Sequence, residues 1–445
     1  MTMTIKQLHI PSQPNPNGSV NVVEFDRVAG SLLNEILNVE EGSEFSFPLK
    51  DSTARTVRLR YIPFCSSGSC SWGGTMASRA VCNGTHCPPN RCDWSGEKLL
   101  LKLSFPSVTP ASEKSLLDHC REQAEGEYVR VLDNLPDIYW SYDIPFNETN
   151  TPRFDLKEEF EDDHRTIRLL RGSIQEEIEP FSSLNTASEC AQVFYDIVQC
   201  HHWVHTYPQI LHQDISLGNI MVRAKDGKKY GVLNDWDLAF WLHERDGIST
   251  SRFRTGTRLF MPHKQHLRRW RGPYRYRHDL ESLFYVILLL ATLFSSPSKR
   301  AYNSLDDDED SDEEDGDEEM MGYERWFTQG DSFLHDKKFK IILVVSWQPH
   351  LTHFFCDFFL WLKRFHRCLY DGFTAYSLHI VRQRDPLQQV PHFDNNTLDG
   401  HFSYMNFVLI MHRFCEEELE TRNSEWREIL QEHRKVEDNE GNNGK

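Results

Sequence analysis

The sequence predicts an α+β protein of two lobes: a small β-rich N-terminal lobe with one key helix, and a larger, mainly helical C-terminal lobe. Three observations carry this. Short alternating apolar stretches gather before residue 178, with Val57, Leu59 and Tyr61 on one face and KLLLKLSF at 98–105 running to a hard stop at Pro106. One helical pattern interrupts them, capped by Ser112, carried by Glu113, Leu116, Leu117 and Cys120, and ended by Gly126. Beyond Pro180 helical spacing dominates, first through Cys190, Val193, Phe194, Ile197 and Val198, then from His278 onward.

The elements follow in order. Residues 1–44 carry little pattern and read as a flexible lead-in. Residues 45–178 form the first lobe, with a strand over 45–62, a Gly/Ser/Cys-rich loop over 66–89 and a strand over 98–105. After the helix come candidate strands at 128–132 and 166–174, joined by an acidic, Pro-containing connection. The second lobe, 179–430, begins with a helix over 185–205. A short-stranded stretch over 210–240 follows, with a turn at Asp226-Gly227 between 219–223 and 229–234. Within this lobe, 302–322 holds the run DDDEDSDEEDGDEE, read as a solvated, disordered insert, with a contact to a basic partner or an acidophilic phosphosite at Ser311 as the alternative. Residues 431–445 are a polar tail.

Composition narrows the class. With 445 residues, 39% of them hydrophobic and 12% aromatic, the chain can bury a large core. A formal net charge of −18 argues against a nucleic-acid partner, which needs basic surface. The 11 Cys are odd in number and the polar, Pro/Asn-rich start is unlike a secretion signal. The expectation is free thiols in a reducing compartment, cytoplasm or nucleus. The longest apolar run, Leu283 to Phe294, is too short to span a bilayer and reads as a buried helix.

The chemistry gathers in one constellation. Phosphoryl transfer needs a carboxylate near the attacking hydroxyl, acceptors for Mg²⁺ and a cation on the phosphates. In His212-Gln213-Asp214 with Asn219, Asp214 is the candidate base, and Asn219, five residues on, a candidate metal ligand. Asn219 leads into a strand, and the returning strand ends at Asp235 of Asp235-Trp236-Asp237, the second candidate ligand. Upstream, Lys102 in the middle of an apolar strand would reach the α- and β-phosphates of ATP, held by an ion pair to Glu113, or less well placed Glu122. Gly73 and Gly74 are candidates for a turn over the phosphates. Thr255-Gly256-Thr257 is a candidate substrate-docking segment in which Thr257 contacts Asp214, and Asp279 would cap the catalytic-loop backbone.

In HQDISLGNI, LNDWDLA, RTGTRLFM and RHDLESLFYV the chain resembles the fungal-type protein kinase domain family (FunK), which carries four similar motifs in the same order. CHHWVHTYPQILH and ERWF add to the likeness, which runs from about Phe45 to Trp361. The resemblance implies a protein-kinase-like two-lobed fold, ATP and Mg²⁺, and a Ser/Thr protein substrate. The departures carry expectations of their own. Gln213 replaces the usual Arg, so no anchor for a phosphorylated activation segment is expected. Ser216 stands where many Ser/Thr kinases carry Lys, Asp237 replaces the Gly of D-F-G, and Trp72 the front Gly of the nucleotide loop. His263-Lys264 occupy the place of A-P-E, so its buttressing ion pair is missing.

Two other readings stay open. A pseudokinase fits Gln213 and the poor glycine loop. A small-molecule kinase of the aminoglycoside or choline type also carries H-x-D-x-x-x-x-N and D-x-D, though without the docking segment. Cys65, Cys70, Cys82, Cys87 and Cys92 with His86 are read as ordinary thiols before a zinc site. Arg268-Arg269-Trp270-Arg271 is read as solvated surface.

Overall fold

The computed structural model describes residues 22–24, 42, 44–48, 54–65, 76–82, 94, 98–104, 106, 111–145, 169–243, 256–270, 272–301, 322–385, 387 and 390–443. The chain divides into two compact units, one of residues 1–114 and 137–177, the other of 115–136 and 178–445.

The first unit is one seven-stranded sheet. Its strands are β1 (Val22–Glu24), β2 (Glu44–Pro48), β3 (Ala54–Cys65), β4 (Met76–Cys82), β5 (Leu99–Ser104), β6 (Ile138–Pro145) and β7 (Leu169–Glu176), in spatial order β1-β2-β3-β4-β5-β7-β6. Every pairing is antiparallel except β1 with β2. Alternation on β5 sends Leu99, Leu101 and Leu103 to one fully buried face and Lys102 to the other. Lys102 therefore lies on a central strand, opposite Ala77 on one side and Ser173 on the other.

Four sequence expectations fail here: the stretch read as a flexible lead-in contains β1, and the acidic connection before residue 166 contains β6. The loop expected over 66–89 contains β4, because Ser78 and Ala80 are small enough to be buried between neighbouring strands. The strand expected over 45–62 is two strands, β2 and β3, paired through Phe45 and Val57.

Helix α1 (Glu113–Gln123) matches the expected helix and buries Leu116, Leu117 and Cys120 completely. The strand expected at 128–132 is instead a 3₁₀ segment, Gly126–Asn134. Its alternation of Val129 and Val131 has no strand partner to meet. Arg223 takes the carbonyls of Leu132, Asp133 and Leu135, and Asn134 Nδ2 donates to Gly231 O at 2.7 Å.

The second unit holds α2 (Ala187–Thr206), α3 (Tyr276–Leu293), α4 (Asp331–Leu343), α5 (Phe359–Gln383), α6 (Tyr404–Met411) and α7 (Ser424–Asn443). A capping box starts α2, with Glu189 N–H on Thr186 Oγ1 at 3.1 Å and Thr186 N–H on Glu189 Oε2 at 3.3 Å. Helix α3 is buried on every side from Arg277 to Leu293, as an all-round apolar helix must be. Arg422 ties the C-terminal segment to α2 through the fully buried Asp196, Nε to Oδ1 at 2.9 Å. No helix among the described residues is long and apolar enough to cross a membrane.

Buried imidazoles make this unit acid-sensitive. Burial pushes His202 and His212 down to about 4 and His278 well below the usual range. The unfolded chain protonates these rings near pH 6.5, so it binds more protons than the folded chain between about pH 6.5 and 4, and stability falls as pH drops through that window. Complete titration costs on the order of 3 kcal/mol for the fully buried His212. Asp214, whose pKa is raised to about 6, and Asp196, raised by burial, work in the opposite sense, but His263, His366 and His412, lowered by burial, add to the loss. The melting temperature is expected to fall steeply below pH 6; a flat profile from pH 7 to 5 refutes this.

Candidate active site

The first unit contributes one ion pair. Lys102 Nζ lies 3.0 Å from Glu113 Oε2, and both residues are almost fully buried, 5% and 1% exposed. Of the two carboxylates considered for this role, Glu113 makes the contact; the Glu122 side chain is 77% exposed and lies beside His119. Gly73, Gly74, Trp72 and Thr255 lie outside the described residues, as do the acidic run and Cys70, Cys87, Cys92 and His86. Cys82 is described and half-buried.

In the second unit local strand pairing lays two loops side by side. Strands β8 (Glu179–Pro180), β9 (Ile210–Leu211), β10 (Ile220–Lys225), β11 (Lys228–Leu233) and β12 (Phe240–Trp241) are short. Strands β10 and β11 form the expected hairpin, and its turn has positive φ at both Asp226 and Gly227, the type I′ geometry that suits strand twist. At the open end Asn234 N–H donates to Asn219 O at 2.9 Å, which sets Asp235 beside residues 212–219. Strand β9 pairs with β12, Phe240 against Leu211 and Trp241 against Ile210. Residues 212–219 and 234–239 are thus anchored at both ends.

Inside the loops, hydrogen bonds set each side chain. His212 is buried, Nε2 donating to Asn234 O at 3.1 Å and Nδ1 accepting from Asp214 N–H at 3.3 Å. Its ring meets the buried Trp236 edge-on, centroids 5.0 Å apart. Gln213 and Asp235 both hold positive φ, +68° and +61°, a strained conformation for side chains of this size. Asp279, at the start of α3, accepts from Gln213 N–H at 3.4 Å, lies 2.8 Å from His201 Nε2 and accepts from Tyr274 O–H at 2.6 Å. Burial alone would raise the Asp279 pKa, but the bonds from His201 and Tyr274 hold it below the ordinary value.

Asp214 is held through both oxygens. Thr257 N–H donates to Oδ1 at 2.6 Å, and Asn219 Nδ2 donates to Oδ2 at 3.1 Å and to Asp214 O at 2.9 Å. Gly256 makes the Thr257 contact possible: its φ is +107°, and a Cβ there would come 2.9 Å from Gln213 O. Burial and the neighbouring Asp235 charge raise Asp214 to about 6, against the lowering effect of Thr257 and Asn219.

The donor set suits a hard divalent cation. Two carboxylates close enough to repel favour a positive ion between them. The Asn219 amide hydrogens face Asp214, which leaves its Oδ1 as the acceptor it can offer. Asn219 and Asp235 are residues that could offer oxygens to such a cation.

Other sequence features resolve differently. Ser216 is buried, 3% exposed, so its hydroxyl does not serve the place of a solvent-facing Lys. His263 does not leave the end of the segment that follows Gly256 unsupported. Its N–H and Nδ1 both bind Glu281 Oε1, at 2.8 and 2.9 Å, and Tyr285 O–H joins them at 3.1 Å. These contacts hold Glu281 well below the ordinary carboxylate range despite burial. Sequence reading missed Glu281, Tyr274, His201 and Lys338. Lys338 had a signal: it falls in a helical row with Leu334 and Ile342, the positions that α4 buries. Arg268 and Arg269 are exposed, whereas Trp270 is half-buried against His278.

Residues 161–291 match the fungal protein kinase family, so the resemblance carried by the four motifs is borne out over that stretch. No curated protein matches the chain.

Proposed function

We propose that this chain is a protein kinase that transfers the γ-phosphoryl group of ATP to a serine or threonine hydroxyl of a protein, on a two-lobed kinase fold. The observation that carries the reading is the double anchoring of Asp214. Its oxygens are aimed by Thr257 on one side and Asn219 on the other, with the Asp235 charge near enough to raise its pKa.

The roles follow from the groups. Lys102, held rigid by Glu113, binds the α- and β-phosphates as a fixed cation. Asp214 orients the acceptor hydroxyl and takes up its proton, its remaining lone pairs directed by the Thr257 and Asn219 bonds. Asn219 and Asp235 would hold Mg²⁺, which when bound neutralises charge on the transferring phosphoryl group. Asp279 secures the turn through Gln213 N–H, so the strained loop keeps its shape before substrate arrives. Thr257 belongs to the segment that resembles the substrate-docking segment of protein kinases, and this likeness favours a protein substrate over a small aminoalcohol.

The test is incubation of the purified chain with labelled ATP and Mg²⁺, in one arm with a generic basic protein and in another with an aminoalcohol and aminoglycoside panel. Label on protein supports the proposal. Label on the small molecules alone replaces it with the small-molecule reading. A thermal shift with ATP–Mg²⁺ but no transfer in either arm replaces it with a pseudokinase.

A further inference from the structure

The segment that carries Thr257 is held from behind by a buried lysine. Lys338 on α4 is fully buried. Its Nζ donates to Leu259 O at 2.7 Å and to Met261 O at 2.6 Å, and it lies 3.3 Å from His266 Nε2. The rings of Tyr285 and Trp326 face it, at 4.2 and 5.3 Å to their centroids. His266 Nδ1 lies 3.1 Å from Asp331 Oδ1, which leaves Nε2 as an acceptor toward Lys338. Arg258 of the same segment donates to the carbonyls of Trp326, Phe327 and Gln329. His335 Nδ1 donates to His263 O at 2.9 Å.

Helix packing does not call for a cation at this point. Leu334 and Ile342, one turn to either side, fill the same row with apolar side chains. Burying an amine is costly unless its hydrogens are used. Here they are used on two carbonyls two residues apart in one stretch of chain. Burial pushes the Lys338 pKa well down, opposed by the Glu281 carboxylate; as ammonium or as amine, its hydrogens suffice for both carbonyls. Two residues before Leu259, Thr257 N–H makes its bond to Asp214.

Resting on the reading of Asp214 as the transfer centre, we propose that Lys338 is a positioning residue: by clamping the Leu259 and Met261 carbonyls it keeps Thr257 on Asp214. The protein-docking segment is thereby assembled from within the fold. This matches Gln213, which offers no guanidinium to a phosphorylated activation segment. Lys338 touches no reacting atom; it acts through Thr257.

The test uses the full chain and Lys338→Met, a side chain of similar length without donors. Three quantities are measured: melting temperature, hydrogen–deuterium exchange of peptides covering 256–262 and 187–206, and steady-state transfer to a basic protein. The expected result is exchange over 256–262 faster by about ten-fold or more, with α2 unchanged. With it should come a kcat lower by about ten-fold or more while KM for ATP stays within about two-fold. A folded Lys338→Met with unchanged exchange over 256–262 and unchanged kcat overturns the proposal. Lys338→Gln, which keeps an NH₂ donor, decides if the Met variant fails to fold, and should show a smaller change of the same kind. Collapse of both variants also overturns it, since Lys338 would then support the whole unit. If the wild-type chain transfers nothing, the kinase reading fails, while the exchange comparison still decides whether Lys338 holds the segment.

Discussion

Asp214→Asn is expected to lower phosphoryl transfer by about 10²–10⁴-fold while leaving ATP–Mg²⁺ binding in place. The substitution removes the proton acceptor and little else. The amide keeps the shape of the side chain, so one of its atoms still meets Thr257 or Asn219 correctly. The other meets a donor, at a cost of about 1–3 kcal/mol. Against that, one of two repelling carboxylates is gone, and the repulsion between Asp214 and Asp235 is part of what raises Asp214. The two effects oppose, so the melting temperature should move little. Labelled transfer and an ATP–Mg²⁺ thermal shift, run on wild type and variant together, measure both halves. A variant that is stable, binds nucleotide and still transfers within about ten-fold of wild type would falsify the assignment of Asp214 as base.

The second large effect is one of stability and function together. Glu113→Ala strands the Lys102 ammonium in a site where both partners are almost fully buried. Breaking a buried pair in this way costs about 3–5 kcal/mol, because the remaining charge has lost that carboxylate. Transfer should fall with it, since the lysine loses its Glu113 contact. Lys102→Met combined with Glu113→Leu separates the two consequences. Replacing both charges with apolar side chains of similar volume should restore most of the lost stability, yet leave no cation for the phosphates. Chemical denaturation gives the first quantity, nucleotide titration the second. Unchanged ATP affinity in the double variant would show that Lys102 is a structural lysine only.

Much of the site was legible because its spacing is local. The interval from Asp214 to Asn219, the Asp226-Gly227 turn and the return to Asp235 all lie within one hairpin and its flanks. Hydrogen bonds between near neighbours fix such a unit, and turn chemistry announces it. The Lys102–Glu113 pair was legible for a related reason: a lysine inside an apolar strand, followed by a helix with an early glutamate, leaves few arrangements for the charge. By contrast, Ser78 and Ala80 read as loop residues until neighbouring strands enclose them. Residues 128–132 read as a strand because local alternation does not reveal that Arg223 will claim the carbonyls nearby.

By itself the sequence determined that a β-rich stretch precedes a mainly helical one, the helices at 113–123 and 187–206, and the residues that gather around Asp214. Only tertiary structure decided how those residues are held. The backbone turn at Gln213 rests on Asp279, Asp279 on His201 and Tyr274, and the Thr257 segment on Lys338 and Glu281. Periodicity records which side chains are buried and turn residues record where the chain bends. A buried charge, however, is satisfied by whichever donors and acceptors the folded chain brings to it, and those lie far away in sequence.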